Sequence, residues 1–236
     1  MQGSFREGAR AMWRVFLRAR FHLSGRWRYK RLVLERVSGK PFLILPAVFN
    51  PSLFWSGEFL AQNLRQEMFA GDCHVLDLGT GSGVGAVTVA AWTPHVVALD
   101  CNPAAVRCAR INSILNQVDE RIDIRLGDLF EPVAGQRFDR ILFNPPYFAG
   151  APVDTLDAAM KSPDMAERFA RGLDRHLAPG GHALLVLSSA GAEAAFLDQL
   201  KAEGFESSEV ASRHLFGEVL RLYRVKRSVA EAPEQQ

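Results

Sequence analysis

From residue 74 onward, short apolar runs alternate with longer stretches in which apolar side chains recur every three or four positions. The runs at 74–79, 96–100, 122–127, 138–143 and 182–188 predict buried strands, and the periodic stretches at about 84–92, 103–116, 164–177 and 191–203 predict helices. Such alternation specifies an α/β fold with a parallel sheet and helices on both faces. Two further strands, 206–214 and 218–226, follow each other with no helix between them. Upstream, Leu32-Val33-Leu34 and Phe42-Leu43-Ile44-Leu45 flank Ser38-Gly39-Lys40-Pro41, which predicts a β-hairpin with Gly39 in its turn. A helical stretch is expected over 57–69. The chain thus divides into a helix over 1–31, a hairpin and lead-in over 32–56, the α/β domain over 57–228 and a frayed tail over 229–236.

Charge adds a feature that hydropathy does not show. Residues 1–40 carry eleven basic and two acidic residues, a net +9, which leaves −7 for the rest of a chain whose total is +2. Arg6, Arg10, Arg14 and Arg18 recur every four residues while Met12, Phe16, Ala19 and Leu23 fall on another face, the pattern of a basic amphipathic helix. Three readings fit it: a solvated helix whose apolar side caps the main domain, a surface for nucleic acid or another acidic partner, and a mitochondrial-type presequence. At 236 residues and 48% hydrophobic, the chain suffices for one α/β domain with a sizeable core. Cys73, Cys101 and Cys108 form no CxxC pair, which argues against a disulfide framework or structural zinc and for a reducing, cytoplasmic setting. No apolar run nears the roughly 18 residues of a membrane span.

Candidate chemistry gathers at the strand ends. In Val75-Leu76-Asp77-Leu78-Gly79-Thr80-Gly81-Ser82-Gly83 a buried strand enters a glycine-rich turn, where the backbone at Gly79 and Gly81 can approach a ligand without Cβ interference. The spacing of Asp77, Gly79, Gly81 and Gly83 fits D/E-x-G-x-G-x-G better than the dinucleotide GxGxxG. A carboxylate at its first position suits a cofactor bearing an ammonium. Asp100 ends the second strand, where doubly wound folds place an acid that accepts both ribose hydroxyls. Asp128, after the third strand, can accept from an adenine amino group with Leu129 or Phe130 against the ring, or can cap a helix. Thr80, Cys101, Asn102 and Asn144 complete the candidate cofactor set.

The fourth strand runs into Phe143-Asn144-Pro145-Pro146-Tyr147-Phe148 at the sheet's carboxyl edge, where open α/β sheets bind ligands. Amide and aromatic amino nitrogens have delocalised lone pairs, so methylating one requires restoring its pyramidal character. If the Asn144 side-chain oxygen and the Pro145 carbonyl accept hydrogens from one NH2 group, they orient it and favour that character as positive charge develops. Tyr147 or Phe148 can lie against a planar acceptor, and a π face suits a sulfonium methyl. Asn144, Pro145, Pro146 and Tyr147 are therefore the candidate catalytic residues.

With these motifs, 33–225 resembles the class I methyltransferases of the NPPY type, and most of all the HemK group, which methylates the side-chain amide of glutamine in translation release factors. The resemblance rests on the hairpin with Ser38-Gly39, the glycine loop, Asp100 and Asn144-Pro145-Pro146-Tyr147. It implies a seven-stranded Rossmann-like sheet ending in an antiparallel pair, S-adenosyl-L-methionine as cofactor, and Asn144 and Pro145 holding the amide with Tyr147 packed on it. The chain departs from the group's Ile-Pro-Arg-Pro-x-Thr-Glu segment, carrying Val48-Phe49-Asn50-Pro51-Ser52-Leu53-Phe54-Trp55-Ser56-Gly57-Glu58 instead, with Glu58 in reach of the acidic position and no Arg. Three functions follow: a protein glutamine N-methyltransferase or a relative acting on a similar planar amide, a methyltransferase of base amines such as adenine N6 or guanine N2 that uses the basic N-terminus on phosphates, and a non-catalytic cofactor-binding or partner subunit; a small-molecule amine or amide is a further acceptor.

Overall fold

The structure is a computed structural model that describes residues 31–69, 71–145 and 164–228. Strands β1 (Val33–Val37) and β2 (Lys40–Ile44) form the hairpin, closed by the two-residue loop Ser38-Gly39. Both loop residues have positive φ, 48° and 82°, the type I′ geometry whose twist matches that of the flanking strands.

The central sheet has seven strands in the order β5-β4-β3-β6-β7-β9-β8. These are β3 (Val75–Leu78), β4 (Val96–Asp100), β5 (Ile122–Leu126), β6 (Phe138–Phe143), β7 (Leu177–Ser188), β8 (Phe205–Leu215) and β9 (Glu218–Arg227). Pairings β3–β4, β4–β5, β3–β6 and β6–β7 are parallel, whereas β9 runs antiparallel to both β7 and β8. The chain builds outward from β3 to β5 and then returns to the other side of β3 as β6. That reversal leaves a crevice beyond the carboxyl ends of β3 and β6, the place where such sheets bind ligands.

Burial on both faces explains the continuous apolar runs of the parallel strands. One face packs on the hairpin and on α2 (Ser56–Asn63), α3 (Val84–Val89) and α4 (Pro103–Leu115), through Phe42, Phe59, Phe69, Val87 and Ala109; a short α1 (Pro51–Phe54) precedes them. The other packs on α5 (Met165–His176) and α6 (Glu193–Ala202) through Phe169, Leu173, Phe196 and Leu200. Phe169 sits among Phe130, Phe143 and Phe196, with the Phe143 centroid 4.7 Å away. Gly172 admits this aromatic layer, since a Cβ there would meet Phe130 at 2.3 Å.

The hairpin is tied down by α4 rather than by apolar contact alone. The fully buried Asn112 side chain accepts from the Leu43 N–H (2.7 Å) and donates to the Leu43 carbonyl (2.9 Å) and the Ser82 carbonyl (2.8 Å). One turn on, Asn116 donates to the Pro41 carbonyl at 2.9 Å.

Several expected boundaries shift. The helix over 57–69 is two pieces, α2 and a 3-10 turn over Gln66–Phe69, because Leu64 is extended (ψ 137°) and Asn63 turns its amide back onto the Phe59 carbonyl. The strand expected at 182–188 begins at Leu177 and runs through Pro179-Gly180-Gly181, held by β6 through Phe138 opposite Leu177. The helix of 84–92 stops at Val89, and Gly127 lies beyond the end of β5. The basic helix over 1–31, but for its last residue, and the tail of 229–236 lie outside the described residues.

Candidate active site

A cleft of about 250 Å³ opens at the carboxyl ends of β3, β4, β5 and β6. Of the residues expected to bind a cofactor, Asp77, Gly79, Thr80, Gly81, Asp100, Cys101, Asn102, Asp128, Leu129 and Asn144 all line it, as does Pro145. Gly83 does not; its φ of 86° caps α3, and a Cβ there would meet the Ala109 backbone at 3.1 Å, so it serves the approach of α3 to α4. Pro146 and Tyr147, together with 148–163, lie outside the described residues.

The glycine loop has the shape its sequence suggests. Gly79 and Gly81 have φ of 60° and 56°, and a Cβ added at either would find its nearest neighbour 3.7 or 4.0 Å away. Left-handed backbone, rather than crowding, favours glycine at both, and their surfaces face the cleft. Asp100 holds the loop: its two carboxylate oxygens accept from the Gly81 N–H (2.9 Å) and the Asn102 N–H (2.8 Å). Burial pushes the Asp100 carboxyl up, and those two N–H bonds pull it partly back. Each oxygen keeps a second lone pair for a ligand hydroxyl. Asn102 caps α4 by accepting from the Ala104 N–H at 2.9 Å and donates to the Ala47 carbonyl at 2.8 Å, joining the lead-in segment to the cleft.

Asp77 lies deeper, only 4% exposed, and one of its oxygens accepts from the Thr80 hydroxyl (2.7 Å) and the Ala86 N–H (2.8 Å). Burial outweighs these bonds and raises its pKa from 3.8 to about 6. Asp128 is ion-paired through one oxygen with Arg168 of α5. Leu129 beside it has a φ of 46°, a strained value for a branched side chain and of a kind that collects at ligand sites.

Asn144 directly follows β6, next to the N-terminus of α2. Its Nδ2 donates to the Ser56 hydroxyl at 3.2 Å, and Ser56 is fully buried. With the amide so turned, Oδ1 is the acceptor that Asn144 offers. Ser56 follows Trp55, which enters the helix left-handed at φ 57°, and Gly57 is required where a Cβ would meet Pro51 at 2.8 Å. Neither Ser56 nor Arg168 carried a motif; both act on residues more than 35 positions away.

The acceptor groups indicate the kind of ligand that fits. Three carboxylates stand at or near the carboxyl ends of β3, β4 and β5, and no Lys or Arg is among the described residues lining the cleft, although Arg168 beside it pairs with Asp128. Such a wall favours a ligand that is cationic and rich in hydrogen-bond donors and opposes a pyrophosphate. Phe49, Leu60, Leu99 and Phe143 supply apolar surface for a flat ring.

A family model described as the methyltransferase small domain matches residues 41–214. A release factor glutamine methyltransferase of Cereibacter sphaeroides is 40% identical over 131 residues, covering 49% of this chain and 47% of that protein. A tRNA1(Val) (adenine(37)-N6)-methyltransferase of Porphyromonas gingivalis is 33% identical over 124 residues, covering 50% and 43%. The chain thus spans about half the length of these curated relatives. Among solved structures, the T. thermophilus 16S rRNA N2 G1207 methyltransferase in complex with AdoMet and guanosine superposes with a TM-score of 0.58 at 25% identity, covering 84% of this chain and 50% of that one.

Proposed function

The chain belongs to the methyltransferase small domain family, and from that membership we propose that it moves a methyl group from S-adenosylmethionine to a planar amide nitrogen, that of a protein glutamine side chain. One observation supports the reading: Asp77, Asp100 and Asn144 line a single cleft, which would put a cofactor pocket and an acceptor-holding amide side by side.

S-adenosylmethionine, when bound, supplies an electrophilic methyl on a sulfonium. The work of the chain is then to hold, orient and exclude. Asp77 would take the cofactor's ammonium, Asp100 its ribose hydroxyls, and Asp128 with Leu129 its adenine, while Gly79 and Gly81 let the backbone come close. Asn144 Oδ1 and the Pro145 carbonyl would accept the two hydrogens of the acceptor NH2, raising the availability of its lone pair as charge develops. Pro146 and Tyr147 complete that motif in sequence and would pack against the acceptor. Cytoplasmic residence suits three free cysteines. No helix among the described residues is long and apolar enough to cross a membrane.

A base amine is the second reading, favoured by the +9 charge of residues 1–40. It would use the same Asn144 contacts, so the two differ only in what enters the acceptor side. Labelled-methyl transfer into fractionated cell extract decides between them. Label that survives nuclease and is recovered in peptides as methylglutamine supports the amide; label in RNA or DNA overturns it.

A further inference from the structure

The opposite edge of the sheet holds a second cluster that the methyl-transfer reading does not use. His74 and His95 immediately precede β3 and β4, whose first residues Val75 and Val96 are register partners. Paired positions on adjacent parallel strands put both imidazoles on one face, and the rings stack with centroids 4.6 Å apart and planes 8° from parallel. His95 Nε2 lies 2.7 Å from a carboxylate oxygen of Asp72. One donor atom from each of Asp72, His74 and His95 falls within 4.8 Å of the others, and all three side chains are exposed.

The backbone beneath them is fixed. Fully buried Thr93 donates its hydroxyl to the Cys73 carbonyl at 2.6 Å and accepts from the His95 N–H at 3.3 Å, which joins the two ligand-bearing segments. The His95 carbonyl accepts from the Val75 N–H at 2.8 Å, and the His74 N–H donates to the Asp139 carboxylate at 2.9 Å. We propose that Asp72, His74 and His95 form a binding site for one divalent transition-metal ion of the zinc class. Two imidazoles and a carboxylate are the donors such ions prefer, and solvent supplies the fourth position. Parallel rings cannot both contain the ion in their planes, so binding turns at least one imidazole about its Cβ–Cγ bond, a motion that exposure permits.

The test uses the full, tag-free chain stripped with a chelator. Zinc is titrated against a chromophoric chelator, and cobalt is added separately to read the coordination bands. The expected result is one equivalent bound near pH 7.5, with the absorption bands of a four-coordinate site when cobalt replaces zinc. His74→Ala and His95→Ala should each weaken binding by at least the roughly tenfold that loss of a supporting partner costs. Circular dichroism and cofactor affinity confirm that the variants remain folded. Absence of saturable binding in the wild-type chain, or variants that bind as it does, would overturn the proposal.

Discussion

Replacing Asp77 by Asn should make the protein more stable and a poorer binder of its cofactor. The carboxylate is 4% exposed, with no cation among the groups that shift its titration, and burial holds its pKa at about 6 against an ordinary 3.8. The folded-state pKa lies above the unfolded one, so the unfolded chain gives up this proton first and the folded state loses stability as pH rises from about 4 through 6. At 1.36 kcal/mol per pKa unit, that interval corresponds to about 3 kcal/mol at neutral pH, which we take as an upper bound. Asparagine removes the charge, and its carbonyl oxygen can still accept from both Thr80 and Ala86. Urea denaturation followed by circular dichroism should therefore show Asp77→Asn more stable than wild type by about 2 kcal/mol at pH 7.5, with the gap closing near pH 4. The retained cost has a use if an ammonium binds there: S-adenosylmethionine should bind the variant at least about tenfold more weakly, a loss of one charge-assisted contact. Wild-type affinity should also fall below pH 6 as Asp77 protonates. A variant that is no more stable at pH 7.5, or a gap that ignores pH, would refute the reasoning.

Other substitutions probe the scaffold and the chemistry. Asn112→Ala leaves Leu43 and Ser82 without their partners and should cost about 2–4 kcal/mol by the same denaturation assay; a loss under about 1 kcal/mol would mean that the hairpin docks by apolar contact alone. Gly172→Ala drives a methyl into Phe130 and should cost about 1–3 kcal/mol, seen as a lowered midpoint with an unchanged urea slope. Asn144→Ala should bind S-adenosylhomocysteine as wild type does yet lose turnover by roughly 10²-fold or more, read by labelled-methyl transfer.

The parallel strands were legible because burial on both faces writes an unbroken apolar run, and the glycine loop because left-handed backbone at Gly79 and Gly81 favours that residue over all others. Asp100 was legible through its place at the end of β4. The contacts that fix these groups were not. Asn112 and Asn116 fall within the stretch expected as a helix over 103–116 and carried no motif, yet they bond to a hairpin 69 and 75 positions upstream. Ser56 fell in the lead-in before the expected helix and carried no motif, and only the return of the chain as β6 brings Asn144 to it. Gly83 fitted the motif by spacing while its role is to let two helices approach. At Leu64 the helix broke because a side-chain amide competed for a main-chain carbonyl, an interaction that apolar periodicity does not register.

The central claim is that the cleft at the carboxyl ends of β3, β4 and β6 takes the cofactor while Asn144 acts on the acceptor. Calorimetric titration of S-adenosylhomocysteine into wild type, Asp100→Ala and Asn144→Ala tests it most directly. The account predicts one equivalent bound by wild type and by Asn144→Ala and no measurable binding by Asp100→Ala, with circular dichroism showing that variant folded. Undiminished affinity in Asp100→Ala would contradict it.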